Sequence, residues 1–547
     1  MNNVLITFDG KTHEYKKGIT FYEVSKDCNM SNIMGFKVNN EVYGLDEKVN
    51  ANQEIEFINT NDIIGNKIYK AGIKFLFQVA LQEVYPALDV HYEHSVPRGM
   101  LGKVCGDKIL NNEDISKIKN KMVEIIEAKD IITKLNILPK EAITFYEEKK
   151  EYEKADNIQN INDKVVNLYR LRNKVNYFYS LMPYNTSFLD KFELVYLGKN
   201  NIIFLFPTVK SDGVVPEYVH YDNIIDSFYE GKKWLNNLHM PYVTQLNKTV
   251  SNGKIKKFIN SSELKFYLNI TKVINDIVDK KDIKFVMIAG PSSSGKTTTT
   301  KRLSSCFEAI GYDAINISLD DYFLDKDITP LDENGKPDFE SVKALNVERF
   351  NEDLSNLIKG EEISLPRYNF LTGKSEESKE KIKIKENSIF LIEGLHALND
   401  ELSINIENKY KYKIYLSPFI PLSIDRHNYV STLDLRLLRR IVRDNRTRGY
   451  SVVETIDSWQ DVRNGEEKYI FPYIHQAETI INTALPYELG VLKVYVEPLL
   501  LSVSVNSKYY EEARRLLGFL KQFFPIPSEY VSDESILREF IGGKYND

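Results

Sequence analysis

KFVMIA (284–289), followed without a break by GPSSSGKT (290–297), is the stretch on which the fold turns. The continuous apolar run from Phe285 to Ala289 is the pattern of a parallel strand buried on both faces. The next eight residues fit the spacing GxxxxGK plus Ser or Thr, and the residues after Lys296, with Leu303 and Phe307, continue as a helix. Strand, glycine loop and helix in this order make a phosphate cradle, because glycines let backbone N–H groups curl around anionic oxygens while the helix aims its positive end at them. Lys296 is placed to neutralise β and γ charge, and the hydroxyl of Thr297 has the length to ligate Mg²⁺ from the first helical turn. Gly290, Ser292, Ser293, Ser294, Gly295, Lys296, Thr297 and Thr298 are therefore expected to hold ATP, with Mg²⁺ bound beside it.

Two further β runs lie downstream. AINISL (314–319) ends in Asp320 and Asp321, and SIFLI (388–392) ends in Glu393. Both place carboxylates at the C-terminal edge of a parallel sheet, where ligands bind in such folds. Singly, each acid reads equally well as a loop residue capping a helix. Two of them after buried strands, behind a phosphate loop, favour a catalytic or metal role. Further on, Arg436, Arg439, Arg440, Arg443, Arg446 and Arg448 crowd one helical segment that ends at Gly449. That density of like charge is costly unless phosphates relieve it, although Asp434 and Asp444 offer surface pairs.

With SLDDYF, LPRYNF, LIEGLHALN and LDLRLLRRIVRDNRTRG on the page, roughly the last half of the chain resembles the uridine kinase and phosphoribulokinase family. The resemblance implies Asp320 as the base that takes the acceptor's proton near the metal, and Glu393 as the metal-shell acid. It implies Tyr368 as an aromatic of the acceptor pocket, Arg443 and Arg448 as lid arginines closing on the ATP phosphates, and Arg440 as an arginine facing the acceptor. The groups that read a nucleoside do not carry over: counted without gaps, they fall on Gly373, Tyr450 and Ser458, with the ribose-binding acid near Lys343. A site that hydrogen-bonds its substrate rejects analogues strongly, so these losses point to a changed acceptor, with Glu340, Asn369 and His396 as replacements.

Upstream, a chain of 547 residues is too long for one core and predicts several modules. Residues 1–62 alternate β runs with one short helix, and ITFDGKTHEYKKGIT with KVNNEVYGLDEKV resembles the TGS domain, a β-grasp unit at the front of threonyl-tRNA synthetase. Residues 63–210 open with a helical pattern over 66–86 and resemble the module that follows TGS in that enzyme. The editing histidines are absent, since the helix reads Tyr69-Lys70-Ala71-Gly72-Ile73 and Cys105 is followed four residues on by Ile109. HYEHSVPRGML (91–101) reads as an irregular segment whose His91 and His94 lack partners at ligand spacing and are taken as loop or packing histidines. FYEEKKEYEKAD (145–156) reads as a solvated helix face, and 160–280 carries no assignable chemistry.

The boundaries that follow are 1–62, 63–210, a connecting region 211–280, a kinase domain 281–500 and a helical extension 501–547. The fold class is α/β, a P-loop parallel sheet preceded by a β-grasp unit and an α+β module. Three scattered cysteines and a net charge of −6 exclude a disulfide scaffold and a global field for nucleic acid. A cytoplasmic chain with no DNA or membrane partner is expected. The expected activity is ATP-dependent phosphorylation of a hydroxyl on a nucleoside, sugar or polyol. The alternative is a nucleotide-regulated protein that contacts tRNA or ribosome through its TGS-like unit.

Overall fold

A computed structural model describes residues 3–331, 335, 337–369 and 372–543. Met1, Asn2 and the final residue of LPRYNF, Phe370, lie outside them. At the centre of the C-terminal half are five parallel strands: β1 (Phe285–Ala289), β2 (Asp313–Ser318), β3 (Ser388–Glu393), β4 (Lys411–Ser417) and β5 (Thr479–Asn482), in the order β2-β3-β1-β4-β5. The side chains of β1 alternate between two cores. Val286 and Ile288 face the helices Ile255–Asp279 and α1 (Lys296–Ala309), while Phe285, Met287 and Ala289 face Phe350, Leu354 and Phe228. That double burial is what the uninterrupted apolar run demands. The strands run parallel, so their C-terminal ends, with Glu393 closing β3 and Asp320 just past β2, open on one edge.

The residues before and after this sheet are tied into the same cores. Phe228 of helix Asp222–Asn237 and Phe266 of Ile255–Asp279 pack on its two faces, as does Ile536 near the C-terminus. Among the described residues no helix is long and apolar enough to cross a membrane.

In the N-terminal half, two small sheets with a short helix (Phe21–Val24) precede the long helix Ile63–Val84. That helix packs against the four-stranded antiparallel sheet made by Asp89–Val96, Gly99–Cys105, Asn201–Leu205 and Glu193–Gly198. Two expectations are corrected here. Residues 91–101, read as irregular, lie in an antiparallel hairpin whose register shifts once, between Tyr92 and His94, and in which His94 is buried as a packing residue and stacks on Phe228 at 5.1 Å. Residues 145–156, read as one solvated helix face, form two helices, Pro139–Glu148 and Tyr152–Ile161, broken where Lys150 takes a positive φ of 60°. The break turns Lys154 inward. Its ammonium pairs with Glu151 at 2.8 Å and donates to His427 Nδ1 at 2.7 Å, so charge satisfied at long range overrides the local impression of a wet surface.

Candidate active site

The phosphate loop is a backbone conformation few sequences tolerate. Gly295 sits at φ 86°, and a side chain at Gly290 would lie 2.7 Å from the carbonyl oxygen of Leu416. Ser293 is also left-handed, at φ 58°. Side chains from far along the chain hold this shape. Arg436 donates to the Ser292 carbonyl at 2.8 Å and pairs with buried Glu466, whose other contact is the Ser292 N–H at 3.3 Å. Arg439 donates to the Ser293 and Thr483 carbonyls and pairs with Glu488 at 2.7 Å, both charges fully enclosed.

Lys296 Nζ donates to the carbonyls of Gly290 and Pro291, at 2.9 and 3.3 Å, curling over the loop it serves. Thr297 Oγ1 donates to Glu393 Oε1 at 3.0 Å, bringing the two expected metal-side groups together across β1 and β3. Burial pushes the Glu393 carboxyl up to about 7, with Lys296 opposing and Asp320 adding to the shift. Asp320 touches solvent, yet the cleft walls enclose enough of its surroundings to raise its carboxyl above the ordinary range, against the pull of Lys296 and Arg448. Its neighbour is committed elsewhere: Asp321 accepts from the Tyr368 N–H at 3.3 Å and so anchors strand Ile363–Asn369. Tyr368 is buried and meets Phe323 edge-on at 5.5 Å.

Glu340 joins this cluster. Burial and nearby Glu466 lift its carboxyl to about 7, while Arg440 and Lys296 pull the other way. A side chain at Gly465 would strike it at 2.7 Å, so glycine there makes room for the acid. Of the other replacements, His396 is buried behind Glu340 with burial holding its imidazole down to about 4. Asn369 accepts from the Thr372 N–H at 3.3 Å, a turn contact. Lys343 is exposed, and Ser458 donates to the Thr455 carbonyl within its own helix.

The arginines of helix α2 (Thr432–Arg448) divide by function. Arg436 and Arg439 are the neutralised loop fasteners just described, which corrects the expectation that the whole run awaits phosphate. Asp434 is no surface partner either: it pairs with Arg515 at 2.7 Å in an enclosed cluster. Arg440, Arg443 and Arg448 share a single buried acid, Asp444, at 3.2, 2.8 and 3.6 Å. Three cations against one anion leave a surplus of positive charge on the cleft side, and Arg440 Nη1 also reaches Ser292 Oγ at 2.9 Å.

Two contributors escaped sequence reading. Glu466 belongs to a separate helix, α3 (Val452–Tyr469), with nothing local to mark it. Glu539, from the last helical turn Arg538–Ile541, accepts from Thr298 Oγ1 at 2.7 Å and from its N–H at 3.4 Å. Ile536 of the same tail covers Gly295.

Compared with known proteins, residues 285–487 match the model of the Phosphoribulokinase / Uridine kinase family. This stretch is a kinase-family domain. The domain implies a phosphotransferase, and a P-loop kinase implies ATP. It spans β1 to β5 and the arginine helix, and so contains Lys296, Asp320, Glu393 and all three arginines grouped on Asp444. A uridine kinase of Anoxybacillus flavithermus is 27% identical over 195 residues, covering 36% of this chain and 83% of that protein. A threonine–tRNA ligase of Cytophaga hutchinsonii is 23% identical over 166 residues, 30% of this chain but only 26% of the ligase. A solved putative fructose transport system kinase from Silicibacter sp. is similar at 17% identity with a TM-score of 0.30, covering 38% of this chain and 95% of that one.

Proposed function

We propose that the kinase-family domain transfers the γ-phosphoryl group of ATP to a hydroxyl of a small nucleoside-, sugar- or polyol-like acceptor. The observation that carries this reading is the division of labour between Asp320 and Asp321: one is tied to the Tyr368 backbone, the other is left in the cleft facing Lys296 and Arg448. A solvent-reachable carboxylate whose proton affinity is raised above the ordinary range is a competent general base.

In this reading the acceptor hydroxyl lies between Asp320 and the triphosphate. Its proton passes to the Asp320 carboxylate as the new O–P bond forms, and the bond from the γ-phosphorus to the β–γ bridging oxygen breaks, releasing ADP. Lys296, Arg443 and Arg448 stabilise the charge spread over the transferred group, while Arg440, Glu340 and Tyr368 border the acceptor. Mg²⁺ supplies charge neutralisation at the β and γ oxygens when bound with the triphosphate. Thr297 and Glu393 fit as its few protein donors, in a corner where acids outnumber cations and a dication would relieve both Glu393 and Asp320.

The test is an ATP-consumption screen of purified protein over nucleosides, pentoses and polyols. Turnover dependent on one acceptor class supports the reading. ATP hydrolysis that instead requires RNA, with RNA binding that weakens steeply with salt, favours the nucleotide-regulated RNA-binding alternative.

A further inference from the structure

Behind the phosphate loop, where helix Ile63–Val84, the hairpin Asp89–Cys105 and helix α3 meet, lies a cavity of about 570 Å³. It touches Pro291 of the loop and the Arg436–Glu466 pair that fastens the loop from behind, but neither Lys296, Asp320 nor Tyr368 lines it. Phe206, Phe419, Leu437 and Trp459 form apolar walls. That volume, with apolar walls and a few polar groups, is the ordinary form of a small-molecule site.

The charges around it are unevenly matched. Lys67 and Arg463 line the cavity and have carboxylate partners, Glu512 and Glu467, each at 3.5 Å. Lys70 does not. Its ammonium donates to the Tyr429 hydroxyl and lies 4.9 Å from that ring's centre, with no carboxylate within 4 Å among the described residues. Arg98 stands at the mouth, exposed, without a hydrogen bond or ion pair among the described residues. His94 lines the same cavity, 1% exposed, with neither ring nitrogen bonded to any described group. Its ring is fixed between Phe228 at 5.1 Å and Phe419 at 4.9 Å, and burial and Lys70 keep it neutral, at about 3. An unpaired buried polar group costs about 1–3 kcal/mol, and a half-buried ammonium without an anion adds to that. A ligand offering an anionic group and one hydrogen-bonding edge would satisfy all of these groups at once.

We propose that this cavity binds a small organic anion, a carboxylate or phosphate meeting Lys70 and Arg98 on a ring-sized apolar body that packs on Phe206, Phe419 and Trp459 and meets His94 at a polar edge. The site joins both N-terminal modules to the kinase-family domain, and it stands apart from the phosphoryl-transfer cleft, so it does not depend on the proposed reaction.

Calorimetric titration of the full chain tests it, run in parallel on Lys296→Ala, Arg98→Ala and Lys70→Met. The probes are uridine and adenosine 5′-monophosphates for a phosphate source, 4-hydroxybenzoate and indole-3-acetate for a carboxylate source, and inorganic phosphate as an anion without a body. The expected result is saturable binding of one probe class, retained in Lys296→Ala and weakened about tenfold or more in both Arg98→Ala and Lys70→Met, with inorganic phosphate at least about tenfold weaker. Arg98 is exposed, so its variant keeps the fold even if Lys70→Met does not. No binding by any probe, binding unchanged in Arg98→Ala, or inorganic phosphate binding as well as the ring-bearing anions would each overturn the proposal.

Discussion

The carboxylate of Glu539 accepts a hydrogen bond from the hydroxyl of Thr298 at 2.7 Å and points at the same residue's N–H at 3.4 Å. These residues are 241 positions apart, and Thr298 is in the helix turn that the sequence assigns to ATP. An acid at a helix N-terminus mimics the phosphate that the turn is built to receive.

Glu539→Gln is therefore expected to tighten ATP binding. The displaced interaction is a hydrogen bond to a charged group, worth about 1.5–3 kcal/mol, and its loss together with the removed repulsion predicts about a tenfold lower Kd for a fluorescent ATP analogue. An unchanged or weaker affinity would show that Glu539 walls the nucleotide site without competing for it.

Two arginines of the same helix are expected to behave oppositely. Arg439→Met leaves Glu488 enclosed with no counter-charge and should cost about 3–5 kcal/mol, read as a fall in denaturation midpoint. Arg448 is half exposed and 3.6 Å from Asp444, so Arg448→Ala should leave stability within about 0.5 kcal/mol while lowering kcat about a hundredfold or more.

Glu340 and Glu393 make the ligand-free protein sensitive to pH. Both carboxyls are lifted from an ordinary 4.5 to about 7 in the fold, so between those values the folded state holds protons that the unfolded chain has released. Their contribution is therefore complete below about 4.5 and is lost as pH rises to 7, and stability falls over that window. Melting temperatures of Glu393→Gln and Glu340→Gln against pH should show a shallower decline than the parent. An identical slope would mean that neither acid is protonated in the folded cleft.

Asp320→Asn removes the proton acceptor but little of the side chain's volume. Turnover should fall about 10²- to 10⁴-fold while ATP binding persists, a separation that a folding defect would not produce.

How much of this was readable beforehand depends on sequence distance. GPSSSGKT and the strand before it were legible because the loop's chemistry is contiguous and its glycines have a steric cause, visible at Gly290 and Gly295. The acids after β2 and β3 were legible because strand ends in a parallel sheet share an edge. Asp320 was singled out over Asp321 only by the resemblance, and the physical reason for setting Asp321 aside, the Tyr368 N–H that occupies it, comes from a distant strand. The arginine run misled because charge density says nothing of partners: Glu466 and Glu488 come from other elements, and they turn Arg436 and Arg439 into fasteners. Lys154 misled in the same way, since its satisfaction depends on His427, 273 residues away.

The most direct measurement is equilibrium binding of ATP with magnesium to the parent protein and to Lys296→Ala, followed by phosphoryl transfer to whichever acceptor the screen selects. The expected result is saturable binding in the parent, weakened by about 3 kcal/mol or some hundredfold on loss of the lysine, with transfer abolished. A parent protein that does not bind ATP, or a Lys296→Ala variant that transfers phosphate at the parental rate, would contradict the claim that this loop grips the triphosphate from which the phosphoryl group is passed.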